Sequence, residues 1–168
     1  GFNCDILACD PYISNERFSK FNAKKTKLDE LLFKSDIVSV HIPLTKETYN
    51  FIDKNFYSKM KKGSLFITTS RGSIHNEDDL ETFLNNGHLS GAGLDVWEKE
   101  PPNPDHKLLK MQNVVATPHM AGVTVDSRKK MSEFVANQLL NILSGGIPER
   151  PINKEILSSF KSKLLKII

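Results

Sequence analysis

Three side chains in this sequence could together bind an anion and move a proton: Arg71 in "TTSRGS", Glu100 in "DVWEKEPP" and His119 in "VVATPHMAG". Arginine is scarce here, four residues against nineteen lysines. Its planar guanidinium grips a carboxylate through two parallel hydrogen bonds, which lysine cannot do; a surface turn is the competing reading. Imidazole titrates near neutrality, so His119 suits a general acid or base, and it also fits an ordinary loop histidine. Glu100 follows acids that read as merely solvated, yet a carboxylate there could hold an imidazole in one tautomer and raise its pKa. Asp10, closing "ILACD", either opens an Asp-Pro turn or accepts hydrogen bonds from both ribose hydroxyls of an adenosine, which disfavours a 2′-phosphate. His41 reads more simply as a satisfied core histidine, and Pro43 fixes the chain direction just beyond it. A His/Glu metal set has no ligand spacing to support it. Ser70 lacks the glycine-flanked elbow of a nucleophile, and no aromatic-and-basic stripe points to nucleic acid.

These residues need elements to position them. Short apolar runs recur as "ILACD" (6–10), "IVSVHIP" (37–43), "SLFITTSRG" (64–72), "LSGAGLDV" (89–96) and "VVATPH" (114–119). Rich in Val and Ile and weakly alternating, they predict parallel strands covered on both faces. Between them, Thr26 and Asp29 in capping-box spacing start a helix over "TKLDELLFK". Asp53 opens a shorter one in "DKNFYSKM", and Asn76 caps "NEDDLETFLNNG", which Gly87 ends. Strand and helix in alternation predict an α/β fold with a parallel sheet and right-handed crossovers. Thr124 caps a long helix with Met131, Val135, Leu139 and Ile142 on one face, ended by Gly145-Gly146; residues 154–168 form a last amphipathic helix. In open parallel sheets the ligand lies outside the carboxyl ends of the strands. Here Asp10, His41 to Pro43, Ser70 to Gly72, Asp95 and Pro118-His119 stand at five such ends, which predicts a shared lip around one ligand.

Composition narrows the classes. At 168 residues, 39% hydrophobic and 26% charged, the chain suits one globular domain. Its net charge of +3 is spread without single-sign blocks, too slight to argue for nucleic acid or an anionic membrane. No apolar stretch is long enough to span a bilayer, and the N-terminus does not read as a signal peptide. Cys4 and Cys9 read as two reduced thiols of a cytoplasmic protein.

"SDIVSVHIPLTKETYNFID", "MKKGSLFITTSRGSIHNEDDLETFLNNGHLSGAGLDVWEKEPP" and "NVVATPHMAGVT" together resemble the NAD-dependent D-2-hydroxyacid dehydrogenases, most of all their phosphoglycerate dehydrogenase branch. The resemblance runs from about residue 5 to residue 153 and implies a Rossmann-like domain. It implies that Arg71 binds the substrate carboxylate and carbonyl oxygen, and that Glu100 partners the catalytic His119. For NAD it implies Asp10 at the adenosine ribose, Ile42 and Pro43 at the adenine end, and Thr69, Ser70, Arg71 and Asp95 towards the nicotinamide. The turn from His119 to Gly122 closes over it. The implied reaction is oxidation of a D-2-hydroxy acid, 3-phosphoglycerate first among candidates, in a cytoplasmic homodimer with neither nucleic-acid nor membrane partner.

The sequence departs from that pattern in holding no GxGxxG turn, whose amides carry the cofactor's diphosphate. The expectation is therefore that residues 1–122 are the C-terminal part of an NAD-binding domain. Residues 123–168 are then the return helix and tail of a substrate domain otherwise absent, with an apolar helix face exposed or given to self-association. Weak or absent turnover by the 168 residues alone is expected with it. Two alternatives remain open at this stage: an NAD-responsive, non-catalytic regulator resembling the corepressors on this fold, and an inactive remnant.

Overall fold

The Val- and Ile-rich runs become strands, each shorter than its apolar run because the polar ends turn away. The computed structural model describes residues 3–157, 159 and 160. β1 (Ile6–Ala8), α1 (Asn15–Ser19), β2 (Ala23–Lys25) and α2 (Leu28–Lys34) come first. β3 (Ile37–Val40), α3 (Lys54–Lys59), β4 (Leu65–Thr68), α4 (Glu77–Asn85), β5 (Gly91–Leu94) and β6 (Val114–Ala116) follow, then α5 (Val125–Leu143). All pairings are parallel. β1 pairs with β2 from Ile6↔Ala23 to Ala8↔Lys25, and β3, β4, β5 and β6 form a separate sheet in that order. The architecture is α/β and Rossmann-like. Neither α1 nor β2 was expected from sequence: "NERFS" is too short to show a period, and "AKK" becomes a strand only through its pairing with β1.

The expected cover on both sheet faces is not what the strands show. Val38, Val40, Phe66 and Thr68 are buried while Ile37, Ser39 and Leu65 are exposed. This alternation is that of a sheet covered on one face. Leu32 of α2, Phe56 and Tyr57 of α3, and Leu80 and Leu84 of α4 join Val38, Phe66 and Leu94 in one core. The helices thus form one layer, α3 packing against both α2 and α4.

Helix ends largely follow their capping residues. Asp53 accepts the Asn55 and Phe56 amides at 2.9 and 3.1 Å, and Asn76 accepts the Asp79 amide at 2.8 Å. Gly87, at φ 71°, ends the stretch after α4. The capping box at Thr26 does not form. Lys27 is the N-cap without a side-chain bond, and the Thr26 hydroxyl instead donates to Glu30 Oε2 at 2.6 Å. The neighbouring Lys34 lies 2.7 Å from the other Glu30 oxygen, so Glu30 gathers partners that the shorter Asp29 does not reach.

One histidine is buried in the core, and it is His75 rather than His41. His75 is 1% exposed, its ring 5.9 Å from that of Phe66. Neither ring nitrogen has a hydrogen-bond partner among the described residues. Burial lowers its pKa from the ordinary value of 6.5 to about 4. The unfolded chain therefore takes up the proton first as pH falls, and protonation favours unfolding. Stability from a neutral His75 is complete above about pH 6.5 and is lost progressively towards pH 4, by about 3 kcal/mol at the limit. Urea denaturation at several pH values should show a shallower acid slope in His75→Leu than in the wild type. Parallel slopes would exclude the burial of His75 as the cause.

Two compact units divide the chain, Gly1–Ala121 and Gly122–Ile168. In the second, Thr124 and Ser127 form a complete capping box at the start of α5, with bonds of 3.0 and 2.9 Å. Gly145, at φ 83°, follows its end. Met131, Val135 and Leu139 are exposed, as expected of that face, and Arg150 lies over the Phe134 ring. Lys154–Ile156 form a short 3₁₀ turn. The rest of the expected last helix falls partly at Ser158 and residues 161–168, outside the described residues.

Candidate active site

β4, β5 and β6 are neighbours in one parallel sheet, so their carboxyl ends emerge side by side. Arg71 follows β4, Asp95 and the loop to Glu100 follow β5, and His119 follows β6. Four of the five strand ends expected to share a lip thus belong to one sheet. The fifth end, Asp10 after β1, belongs to the other sheet.

Glu100 and His119 meet. Glu100 Oε2 lies 2.8 Å from His119 Nδ1, and Glu100 Oε1 accepts the Trp97 amide at 3.1 Å. An ionised carboxylate only accepts, so Nδ1 carries the proton and donates, leaving Nε2 to exchange protons with a ligand. The hydrogen bond from His119 is the main reason that the Glu100 carboxyl lies below the usual range. Burial opposes it, while the Trp97 amide and the charges of His119 and Arg71 reinforce it. Both side chains remain open to solvent, 44% for His119 and 39% for Glu100. Arg71 spends one donor on the Ser70 carbonyl, at 2.6 Å.

His119 adopts φ 52°, a left-handed conformation that a residue with a Cβ adopts only when its surroundings impose it. Asp95 imposes it. Its carbonyl accepts the His119 amide at 2.8 Å. Its carboxylate accepts the Thr117 hydroxyl at 2.5 Å and the Met120 and Ala121 amides at 2.8 and 2.9 Å. Burial raises the Asp95 carboxyl's pKa, but these bonds, with the charge of His119 added, outweigh it and leave the pKa below the ordinary value. Its contribution is present at neutral pH and is lost as pH falls through the acid range. Sequence reasoning placed Asp95 towards the nicotinamide and missed this organising role. The signal was available in Thr117 and Asp95 ending adjacent strands. Asp95→Ala strands a hydroxyl and two amides and should lower stability by about 2–3 kcal/mol, with faster hydrogen exchange at Met120 and Ala121. An unchanged urea midpoint would contradict it.

The remaining residues are more dispersed. Ser70 is buried, its hydroxyl 3.1 Å from that of Thr68, and Thr69 Oγ1 lies 3.5 Å from His41 Nδ1. His41 is exposed, with Nε2 2.8 Å from Ser39 Oγ. It is not a core histidine because positions 39 and 41 point to the uncovered face of the sheet. Ile42 packs partly against the core, and the Pro43 carbonyl accepts the Thr48 hydroxyl at 2.7 Å. Asp10 Oδ1 accepts the Tyr12 amide at 2.8 Å, the turn that an Asp-Pro pair favours. Its second oxygen has no hydrogen bond among the described residues and suits a hydroxyl donor. Gly122 opens the second unit, where its carbonyl accepts the Ser127 hydroxyl at 2.7 Å. Among the described residues no group of three His, Cys, Asp or Glu side chains could hold a metal ion, and no helix is long and apolar enough to cross a membrane.

The family described as "D-isomer specific 2-hydroxyacid dehydrogenase, NAD binding domain" matches residues 1–121. A glyoxylate reductase of Thermofilum pendens is 44% identical over 147 residues, 88% of this chain and 43% of that protein. A D-3-phosphoglycerate dehydrogenase of Archaeoglobus fulgidus is 40% identical over 146 residues, 87% of this chain and 28% of that protein. The chain thus spans less than half the length of these curated relatives. The NAD-complexed structure of a D-isomer specific 2-hydroxyacid dehydrogenase from Lactobacillus delbrueckii ssp. bulgaricus superposes with a TM-score of 0.80 at 33% identity, over 89% of this chain and 49% of that one.

Proposed function

Since the chain belongs to the D-isomer-specific 2-hydroxyacid dehydrogenase family, and its residues 1–121 match that family's NAD-binding domain, we propose that it supplies the catalytic pair and most of the cofactor wall of such an enzyme. The observation that carries this reading is the bond from His119 Nδ1 to Glu100 Oε2, 2.8 Å long. It presents a free imidazole nitrogen beyond the end of β6, with Arg71 beyond the end of β4 and the Glu100 loop beyond the end of β5 between them.

In the proposed reaction Arg71 grips the carboxylate of the acid and fixes its C2. His119 Nε2 takes the hydroxyl proton during oxidation, and Glu100 stabilises the imidazolium that results. In reduction the imidazolium returns the proton to the keto oxygen. Bound NAD supplies the hydride acceptor and donor. Asp10, with one carboxylate oxygen unused, receives the adenosine ribose. Ile42 and Pro43 border the adenine end, and Thr69, Ser70 and the Asp95-held turn, with Gly122 beyond it, flank the nicotinamide.

Residues 1–122 are proposed as the C-terminal part of the NAD-binding domain, and 123–168 as the return helix and tail of the substrate domain. The strand order supports this: the pair β2-β1 and the run β3-β4-β5 follow the 3-2 and 4-5-6 parts of the common dinucleotide-binding order 3-2-1-4-5-6, with β6 as a further strand beside β5. The enzyme is proposed to act as a homodimer in the cytoplasm. Its substrate is a small 2-hydroxy or 2-keto acid, with 3-phosphoglycerate and glyoxylate as the first to test, both being named among the relatives' activities.

The test is an assay of the assembled dehydrogenase against a panel of such acids with NAD and NADP. Turnover of at least one acid with NAD preferred is expected. A clear NADP preference would overturn the role of Asp10, and no oxidoreduction of any acid, with NAD still bound, would move the protein to the regulators.

A further inference from the structure

Three acids occupy the first turn of α4, Glu77, Asp78 and Asp79, and helix-dipole reasoning treats them alike. The structure does not. Asp79 accepts the Lys54 amide at 2.9 Å, and Asp78 is exposed. Glu77 turns to the loop after β5, its side chain 11% exposed. Its Oε1 accepts the Glu98 amide at 2.7 Å, and its Oε2 lies 3.1 Å from His106 Nε2. The His106 ring in turn meets that of Trp97 edge-on, centroids 5.5 Å apart. On its other side the same loop is pressed against Gly72, where a Cβ would overlap the Trp97 carbonyl and the Glu98 amide.

We propose that Glu77 is a positioning residue for the Glu100–His119 pair: by holding the Glu98 amide and the His106 ring, it fixes the loop 97–100 so that Glu100 faces His119. The inference rests on the dehydrogenase reading for its consequence, though not for its geometry. Trp97 and Glu98 are the residues gripped. The Trp97 amide is also the one that donates to Glu100 Oε1, so the anchor acts within three residues of the carboxylate that it orients. Losing it leaves that carboxylate on a loop held from one side only.

The first readout is the titration of the Glu100 carboxyl by carbon NMR of the chain with labelled glutamate, assigned through Glu100→Gln. In the wild type Glu100 titrates below the ordinary range, chiefly through its bond to His119. Glu77→Ala should move the midpoint up towards an ordinary glutamate. Glu77→Gln, whose amide oxygen still accepts from Glu98, should retain most of the wild-type position. Asp78→Ala, which removes a charge from the same helix turn without touching the loop, should leave it unchanged. In the assembled enzyme Glu77→Ala should lower kcat by about 10–100-fold, the scale of a misplaced catalytic group, with the KM for NAD unaltered. Should Glu77→Ala not fold, Glu77→Asp decides, since its shorter side chain keeps the charge but falls short of the Glu98 amide and the His106 ring, and the Glu100 midpoint should again move up. An unmoved Glu100 midpoint in the folded variant, or an equal shift in Asp78→Ala, overturns the proposal. Absence of dehydrogenase activity in the wild type would sink the functional reading while leaving the titration result standing.

Discussion

His119→Gln is expected to lower turnover of the assembled dehydrogenase by about 10²–10⁴-fold, the range contributed by a positioned general acid or base, with folding and NAD binding retained. The side chain is 44% exposed and contributes little packing, so its replacement leaves no core cavity. Asp95 still keeps the turn in place through the backbone amides of residues 119 to 121, but glutamine cannot take up a proton. Orientation by Arg71 and hydride transfer to the nicotinamide would remain, so activity should fall without vanishing. Glu100→Gln should also lower turnover, because the imidazolium formed during oxidation loses its counter-charge. Wild-type rates in His119→Gln would remove it from the mechanism.

Gly72→Ala is expected to destabilise the first unit by about 3 kcal/mol or more, at the upper end of overpacking effects, and to disorder the loop carrying Glu100. The cause is close approach rather than backbone freedom. Gly63, Gly87 and Gly145 have positive φ, and Gly72 does not. A Cβ at Gly72 instead meets the Trp97 carbonyl and the Glu98 amide, backbone atoms with no rotamer to escape into. Those atoms are held in turn: Trp97 is 4% exposed, its amide donates to Glu100, and the Glu98 amide is held by Glu77. The loop can yield only by breaking these bonds, which is why one methyl group should act on both stability and catalysis. Urea denaturation together with the Glu100 titration would show both effects at once. A variant with wild-type midpoint and wild-type titration would mean that the two segments separate freely.

The two expectations draw on different kinds of information. Strand positions and the caps at Asp53, Asn76 and Thr124 were legible in the sequence, because each depends on local chemistry, while Arg71, Glu100 and His119 stood out there only as candidates whose roles the family resemblance implied. Apolar runs end where polar groups begin, Asp and Asn accept free amides at helix starts, and a scarce arginine beside a glycine stands out among lysines. The quoted blocks also sufficed for the family, since their order and spacing follow the chain. Gly72 was legible only as part of one strand end.

Tertiary structure decided what passes close to Gly72, and it turned out to be the chain itself. It also decided that His75 rather than His41 is buried, because burial depends on which sheet face the helices cover, and the apolar runs do not record that. It made β2 a strand through its neighbour, and it gave Thr26 to Glu30 instead of to a capping box. Most of all it separated the acids that the sequence leaves equivalent. Asp95 organises the histidine turn, Glu100 meets the imidazole and Glu77 holds the loop 97–100. Each role is a distance between residues remote in the chain, and only the packing of β4, β5 and β6 side by side brings those distances within reach of a hydrogen bond.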